Sequence, residues 1–205
     1  MKNNLDLNDI LRQFRNGTPL LHPTDTIPGL SFYPGMGRAK EAVLNLKGYD
    51  DHRPFIGLVS TPEMAFRLWE PLPDGWSERL KNVWPAPLTV LYSAGLRAPA
   101  SLTSHDGRIA FRCPKLSEDA SWVYQLIDLM NEPMPSTSVN SRGMPSAQNW
   151  DEATRWCHAQ KQNCIIPDII APVTHASRPS TLIELLPNGT FNVLRAGAFA
   201  TDQLL

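Results

Sequence analysis

The sequence is poor in cysteine, in long apolar runs and in excess charge of either sign, and each shortage excludes a class of protein. Its three cysteines, Cys113, Cys157 and Cys164, are odd in number and show no CxxC spacing. They are expected as free or buried thiols in a reducing cytoplasm, not as a disulfide framework or a zinc site. No stretch approaches the roughly 20 apolar residues of a membrane span, so no membrane partner is expected. The opening residues MKNNLDLNDILRQFRNG have no apolar core and do not read as a signal peptide. A formal net charge of −1 supplies no global field to hold nucleic acid or an anionic membrane, so any anion site must be local. There is no GxxxxGK[ST], no GxGxxG after a strand and no GxSxG. These absences remove Walker-type ATPases, the usual dinucleotide fold and the α/β-hydrolase nucleophile elbow. His22, His52, His105, His158 and His175 show no HExxH spacing, and no resident metal is expected.

What is present is an ordinary globular balance, 42% hydrophobic and 19% charged, which argues against disorder. With no repeat, low-complexity tract or visible boundary, residues 1–205 read as a single domain. The 19 prolines form no PxxP tract and act as turn punctuation.

Periodicity predicts a first helix capped by Asn8, with Ile10, Leu11 and Phe14 on one face and Gly17 as its stop. Further helices are expected over 38–47, from the Thr61 cap to Leu68, over 76–83, 120–130 and 150–160, and briefly at the C-terminus. Strands are expected at 55–59, 88–92, 108–112, 135–139, 181–185 and 191–194, with a short apolar run at 19–23. Strands and helices alternate without clean βαβ repeats, which indicates a mixed α/β sheet with helices on its faces.

Four polar clusters adjoin these strands. His22-Pro23-Thr24-Asp25-Thr26-Ile27-Pro28-Gly29-Leu30 offers hydroxyls and a carboxylate to an amino acid or phosphate, or else bonds only to its own backbone as a local turn. Lys47, at a helix C-terminus, is either a dipole partner or a point charge for phosphate or bicarbonate. The run from Ser136 to Ser146 carries hydroxyls, an amide and Gly143 but no acid. This suits nucleotide phosphates or, equally, a solvated loop. Arg108 and Arg112, four apart on one strand, share a sheet face, and Arg195 follows near the end of the chain. Guanidiniums so placed mark an anion site or surface salt bridges.

In order along the chain, these segments resemble the motifs of the YrdC-like family. Pro23–Leu30 is similar to the PTDT-x-x-GL segment of that family, and Leu46-Lys47-Gly48-Tyr49 falls at its K-x-R. Trp84-Pro85-Ala86-Pro87-Leu88-Thr89 resembles WPGPLT, and Arg108–Pro114 the G-x-R-x-P strand. Ser138–Ser146 resembles S-x-N-x-SG-x-PS, Pro179–Ile183 the PSTI segment, and Leu194–Ala198 the LR-x-GA ending. Together the segments cover about residues 20–198, and their order is specific where each alone is weak.

The resemblance implies an α/β (α+β), YrdC/RibB-like fold: a twisted mixed sheet with helices on its faces and a concave, positive cavity. It also implies a nucleotidyltransferase activity, the synthesis of threonylcarbamoyl-AMP and pyrophosphate from L-threonine, bicarbonate and ATP for the N6-threonylcarbamoyl mark on tRNA A37. Magnesium is expected with the ATP. Carried over by position, Thr24 would contact threonine and Ser180 would close on it. Lys47 would attract bicarbonate or phosphate. Thr89, Arg112, Ser138, Asn140 and Arg195 would line the nucleotide side, and Thr26 and Ser146, inside the same segments, complete the binding set. The resemblance extends to partners: tRNA or double-stranded RNA, and a downstream threonylcarbamoyl transferase complex. One departure stands out. The arginine of K-x-R is Tyr49 here, and a phenol cannot replace a bidentate guanidinium. Arg53 is the expected substitute, as a catalytic partner of Lys47. The alternative is a catalytically altered paralogue acting in RNA binding or ribosome maturation.

Overall fold

The computed structural model describes residues 5–48, 55–160, 163–169 and 178–204. Fourteen helices and strands follow one another along it. The first six are α1 (Leu7–Arg15), β1 (Leu20–His22), β2 (Gly29–Ser31), α2 (Gly37–Lys47), β3 (Ile56–Leu58) and α3 (Pro62–Phe66). Then come α4 (Trp76–Val83), β4 (Leu88–Ser93), β5 (Arg108–Arg112) and α5 (Trp122–Met130). The last are β6 (Met134–Ser138), α6 (Trp150–His158), β7 (Thr181–Leu185) and β8 (Phe191–Arg195), with a closing 3-10 turn at Thr201–Leu204. Tyr49 and Arg53, with His52 and His175, lie outside the described residues.

The eight strands form one mixed sheet in the order β1-β2-β6-β3-β5-β4-β7-β8. Only β3–β5 and β4–β7 pair parallel. Because side chains alternate along each strand and register partners share a face, the pairing sorts the residues. His22, Gly29, Ser136, Ser138, Ile56, Arg112, Thr89 and Arg195 fall on one face. Leu21, Leu30, Phe111, Val90 and Ile183 fall on the other, where all five are fully buried. The polar clusters of the sequence are thus one side of a sheet whose other side is core. On the apolar side Trp69 lies 5.3 Å from Phe111 and donates its indole N–H to the Ile109 carbonyl at 3.1 Å. The indole is buried with its polar atom satisfied.

Most expected elements stand at or within a few residues of their predicted bounds, and Trp76–Val83 and Arg108–Arg112 stand at the bounds themselves. Three corrections follow from side chains. The first helix is capped by Asp6, not Asn8; its carboxylate accepts from the Asn8 and Asp9 amides at 3.0 and 3.1 Å. A carboxylate two residues earlier also suits the positive end of the helix dipole better than an amide. The helix after Thr61 ends at Phe66, where its last carbonyls are taken by a 3-10 turn to Leu68. Strand β2 was not expected at all. Its glycine and serine have little strand preference, and pairing with β1 and β6 decides the matter.

Candidate functional site

Above the polar face a loop from Pro23 to Pro28 and the turn Pro179–Ser180 enclose a cavity of about 230 Å³. Its wall includes Thr24, Thr26, Lys47, Arg112, Ser136, Ser138, Ser180 and Arg195. Seven of the expected site residues therefore meet here, brought from separate parts of the chain. Close packing of backbone closes one end: a Cβ on Gly197 would lie 2.2 Å from the Pro179 carbonyl oxygen. Any side chain there would push the C-terminal segment off the turn that carries Ser180.

Of the two alternatives the sequence left open for this cluster, the structure shows the local turn. Thr24 Oγ1 donates to the Ile27 carbonyl at 2.7 Å and accepts the Thr26 amide at 3.0 Å, so the local turn is real. That turn holds both threonines at the cavity wall. Between them, Asp25 points away and pairs with Arg112, whose Nη2 donates to the carboxylate and, at 2.9 Å, to Thr26 Oγ1. The second Asp25 oxygen accepts the Lys115 amide at 2.9 Å. Both partners of the pair are buried, with side-chain exposures of 5% and 8%. Burial draws the Arg112 pKa down and Asp25 opposes that. The guanidinium nonetheless keeps its charge. Its Nε–H is buried and has no hydrogen-bond partner among the described residues.

On the opposite side Arg195 donates through Nε and Nη2 to the Ser180 carbonyl at 3.1 and 2.9 Å. Nη2 also reaches Ser180 Oγ at 3.1 Å. Burial first, then the neighbouring charge of Arg112, lowers the Arg195 pKa. Two guanidiniums that repel each other across one cavity favour an anion between them. Thr89 stands behind this wall, not in it. It is fully buried and bonds Ser180 Oγ at 2.8 Å, so it fixes a hydroxyl that faces the cavity.

Lys47 closes the third side. It is buried at the C-terminal end of α2, and its ammonium donates to the Ser138 carbonyl and, at 2.8 Å, to Asn140 Oδ1. The Asn140 amide nitrogen in turn donates to the Met144 carbonyl at 2.9 Å. Asn140 therefore aims Lys47 and does not itself line the cavity. Ser146 is not among the lining residues either; its carbonyl accepts the Gln148 side-chain amide at 2.7 Å. Arg108 shares the sheet face of Arg112, as expected, but is committed to Asp106 and Glu184 at the rim. For Arg108 the surface salt-bridge alternative holds.

Two residues that sequence reasoning left off its site list belong to this wall's support. Asp25 neutralises Arg112, and His22 lies against Ser136. Both stood in the first polar cluster, but their partners are 87 and 114 residues away in the chain. Among the described residues Lys47, Arg112 and Arg195 line the cavity, and the Asp25 carboxylate beside it is committed to Arg112. Among the described residues no group of three His, Cys, Asp or Glu could hold a metal ion. No helix among them is long and apolar enough to cross a membrane.

The described residues thus form a mixed α/β sheet with hydroxyls and guanidiniums gathered at one cavity on one face. Residues 12–197 match the model of the Sua5–YciO–YrdC family, described as Telomere recombination, and the chain belongs to that family. It is 27% identical over 174 residues to a threonylcarbamoyl-AMP synthase of Chromobacterium violaceum, covering 85% of this chain and 86% of that one. To a threonylcarbamoyl-AMP synthase of Pseudomonas paraeruginosa it is 31% identical over 147 residues, covering 72% and 77%. The fold matches the crystal structure of P. abyssi Sua5 complexed with L-threonine at a TM-score of 0.81 and 23% identity. That match covers 97% of this chain but 56% of the other, so the chain spans little more than half of that protein's length.

Proposed function

We propose that the chain is an enzyme, a nucleotidyltransferase that forms threonylcarbamoyl-AMP and pyrophosphate from L-threonine, bicarbonate and ATP. The observation that carries this reading is the cavity itself: Lys47, Arg112 and Arg195 converge on it with hydroxyls between them. Such a wall suits a reaction whose substrates and leaving group are anions. Membership of the family, and relatives named for this synthesis, support the same reaction.

The threonine amine attacks the bicarbonate carbon, with loss of water, to give an N-carboxylate. A carboxylate oxygen then attacks the α-phosphorus of ATP, the bond to the β-phosphate oxygen breaks, and pyrophosphate leaves. No protein nucleophile is needed, so the wall contributes proximity and charge neutralisation. Thr24, Thr26 and Ser180 hold the amino acid, Lys47 the bicarbonate, and Arg112, Arg195 and Ser138 the phosphates. Thr89 and Asn140 act by fixing Ser180 and Lys47. Magnesium arrives as part of the ATP substrate. Among the described residues the carboxylate beside the wall, Asp25, is already committed to Arg112 and Lys115, so phosphates and water would hold that ion. Delivery of the product to a tRNA-modifying transferase and a cytoplasmic location belong to the same proposal.

The test is pyrophosphate release by purified protein with ATP, with threonine and bicarbonate each present or withheld. Release that needs both is expected. Folded protein that binds ATP but releases nothing would instead favour the altered paralogue, a reading that the Tyr49 substitution in K-x-R motivates. In the same assay Arg53→Ala is expected to lower kcat/KM about a hundredfold, the scale of one lost charge-stabilising contact. Unchanged turnover in folded Arg53→Ala protein would remove Arg53 from the catalytic set.

A further inference from the structure

Ser136 is a wall residue to which the reaction above gives no task, and its partner is a histidine with no direct access to the cavity. His22 is fully buried on β1. Its Nδ1 lies 3.1 Å from the Pro23 carbonyl oxygen and its Nε2 lies 3.0 Å from Ser136 Oγ. Burial holds the imidazole neutral, its pKa lowered to about 4. A carbonyl can only accept, so the single proton of the neutral ring sits on Nδ1. Nε2 then carries a lone pair, and the Ser136 hydroxyl must donate to it. The fit depends on Gly29 between them in the sheet: a Cβ there would stand 2.4 Å from the imidazole and 2.8 Å from Ser136 Oγ.

The consequence is directional. A free serine hydroxyl can donate or accept, but one whose proton is fixed on His22 offers the cavity lone pairs alone. Every cation on the wall seeks an anion; Ser136 seeks an N–H or O–H. Ser136 is two residues from Ser138 on β6, and the Ser138 carbonyl holds the Lys47 ammonium. A donor at Ser136 thus sits one same-face position along β6 from the residue that holds Lys47, and both side chains line the one cavity. On the reaction proposed above, that donor is the threonine nitrogen and its neighbour is bicarbonate, the two centres that must join first. The surrounding cations disfavour an ammonium and favour the neutral amine that attacks.

We infer that His22 is a positioning residue that locks Ser136 as a hydrogen-bond acceptor for the α-amino nitrogen of the amino-acid substrate. The inference rests on the synthase reading but is tested separately, by threonine binding to wild-type and variant proteins in calorimetry alongside the pyrophosphate assay.

Three variants define the test, each first shown by its melting curve to be folded. His22→Phe fills the site and frees the serine rotor. It is expected to weaken threonine binding about five- to tenfold, the cost of one hydrogen bond of this kind, with the KM for ATP unchanged. Ser136→Ala is expected to give the same loss, and the double variant no more than either alone, since both remove one interaction. His22→Gln can donate to Pro23 and accept from Ser136, and is expected to restore affinity. Wild-type threonine affinity in Ser136→Ala, or losses that add in the double variant, overturns the inference. If His22→Phe does not fold, Ser136→Ala and His22→Gln still decide it. Wild-type protein that binds threonine without turnover defeats the proposed reaction but leaves this inference to the affinity ratios. Wild-type protein that binds no threonine defeats both.

Discussion

Replacing Asp25 by alanine is expected to destabilise the protein by about 3–5 kcal/mol, as loss of one partner of a buried ion pair does. Among the described residues the change strips Arg112 of its only counter-charge while the guanidinium stays buried, with Thr26 Oγ1 as its one remaining hydrogen-bond acceptor. The charge is then worse than useless to the fold. Removing it as well, in Asp25→Ala with Arg112→Met, is expected to recover part of the loss, because no unpaired charge remains. A second signature separates this from generic damage. Pyrophosphate or ATP in the cavity supplies the missing negative charge, so either should raise the melting temperature of Asp25→Ala more than that of the wild type. Denaturant melts of the wild type, Asp25→Ala and the double variant measure the first effect and ligand-dependent thermal melts the second. Equal stability of Asp25→Ala and wild type would show that Arg112 needs no permanent counter-charge.

The other large effect is a loss of stability with acid in a window set by His22. The folded-state pKa is depressed to about 4, chiefly by burial, against about 6.5 for an unfolded histidine. Between those values the unfolded chain binds a proton that the folded chain refuses. Stability is therefore complete above about pH 6.5 and falls as the pH drops toward 4, by about 3 kcal/mol in all. Carboxylates with depressed pKa values, such as Asp106 at about 2, act in a lower window and leave this one clean. Urea melts between pH 7.5 and 4 should show the slope in wild type and its absence in His22→Gln. Parallel curves for the two proteins would remove His22 as the cause.

How much of this was legible beforehand depends on range along the chain. The strand Arg108–Arg112 carried its own alternation and could be placed to the residue, and the Trp76–Val83 helix likewise. The strand Gly29–Ser31 carried none; only neighbours far away in sequence make it a strand. The same divide runs through the site. Hydroxyls and basic residues could be found by type, and most of those expected meet at one cavity. Their roles could not be read, because a role is a distance. Nothing local distinguishes Arg112, buried against Asp25, from Arg108, tied to Asp106 and Glu184 at the rim. Nothing local shows that Asn140 and Thr89 stand one layer back, or that a histidine beside a proline bonds a serine 114 residues on.

The alternation of the sheet has a consequence for how such a protein changes over generations. Each central strand contributes polar-face and core residues in turn: Arg112 follows Phe111, and Thr89 precedes Val90. A substitution on the cavity side leaves the apolar neighbour in its place in the core, and it spares folding only where the polar side chain has no buried partner such as the Asp25 of Arg112. Binding and folding are therefore separable at the unpartnered hydroxyls of the wall and tied together at Arg112 and His22, whose partners are buried.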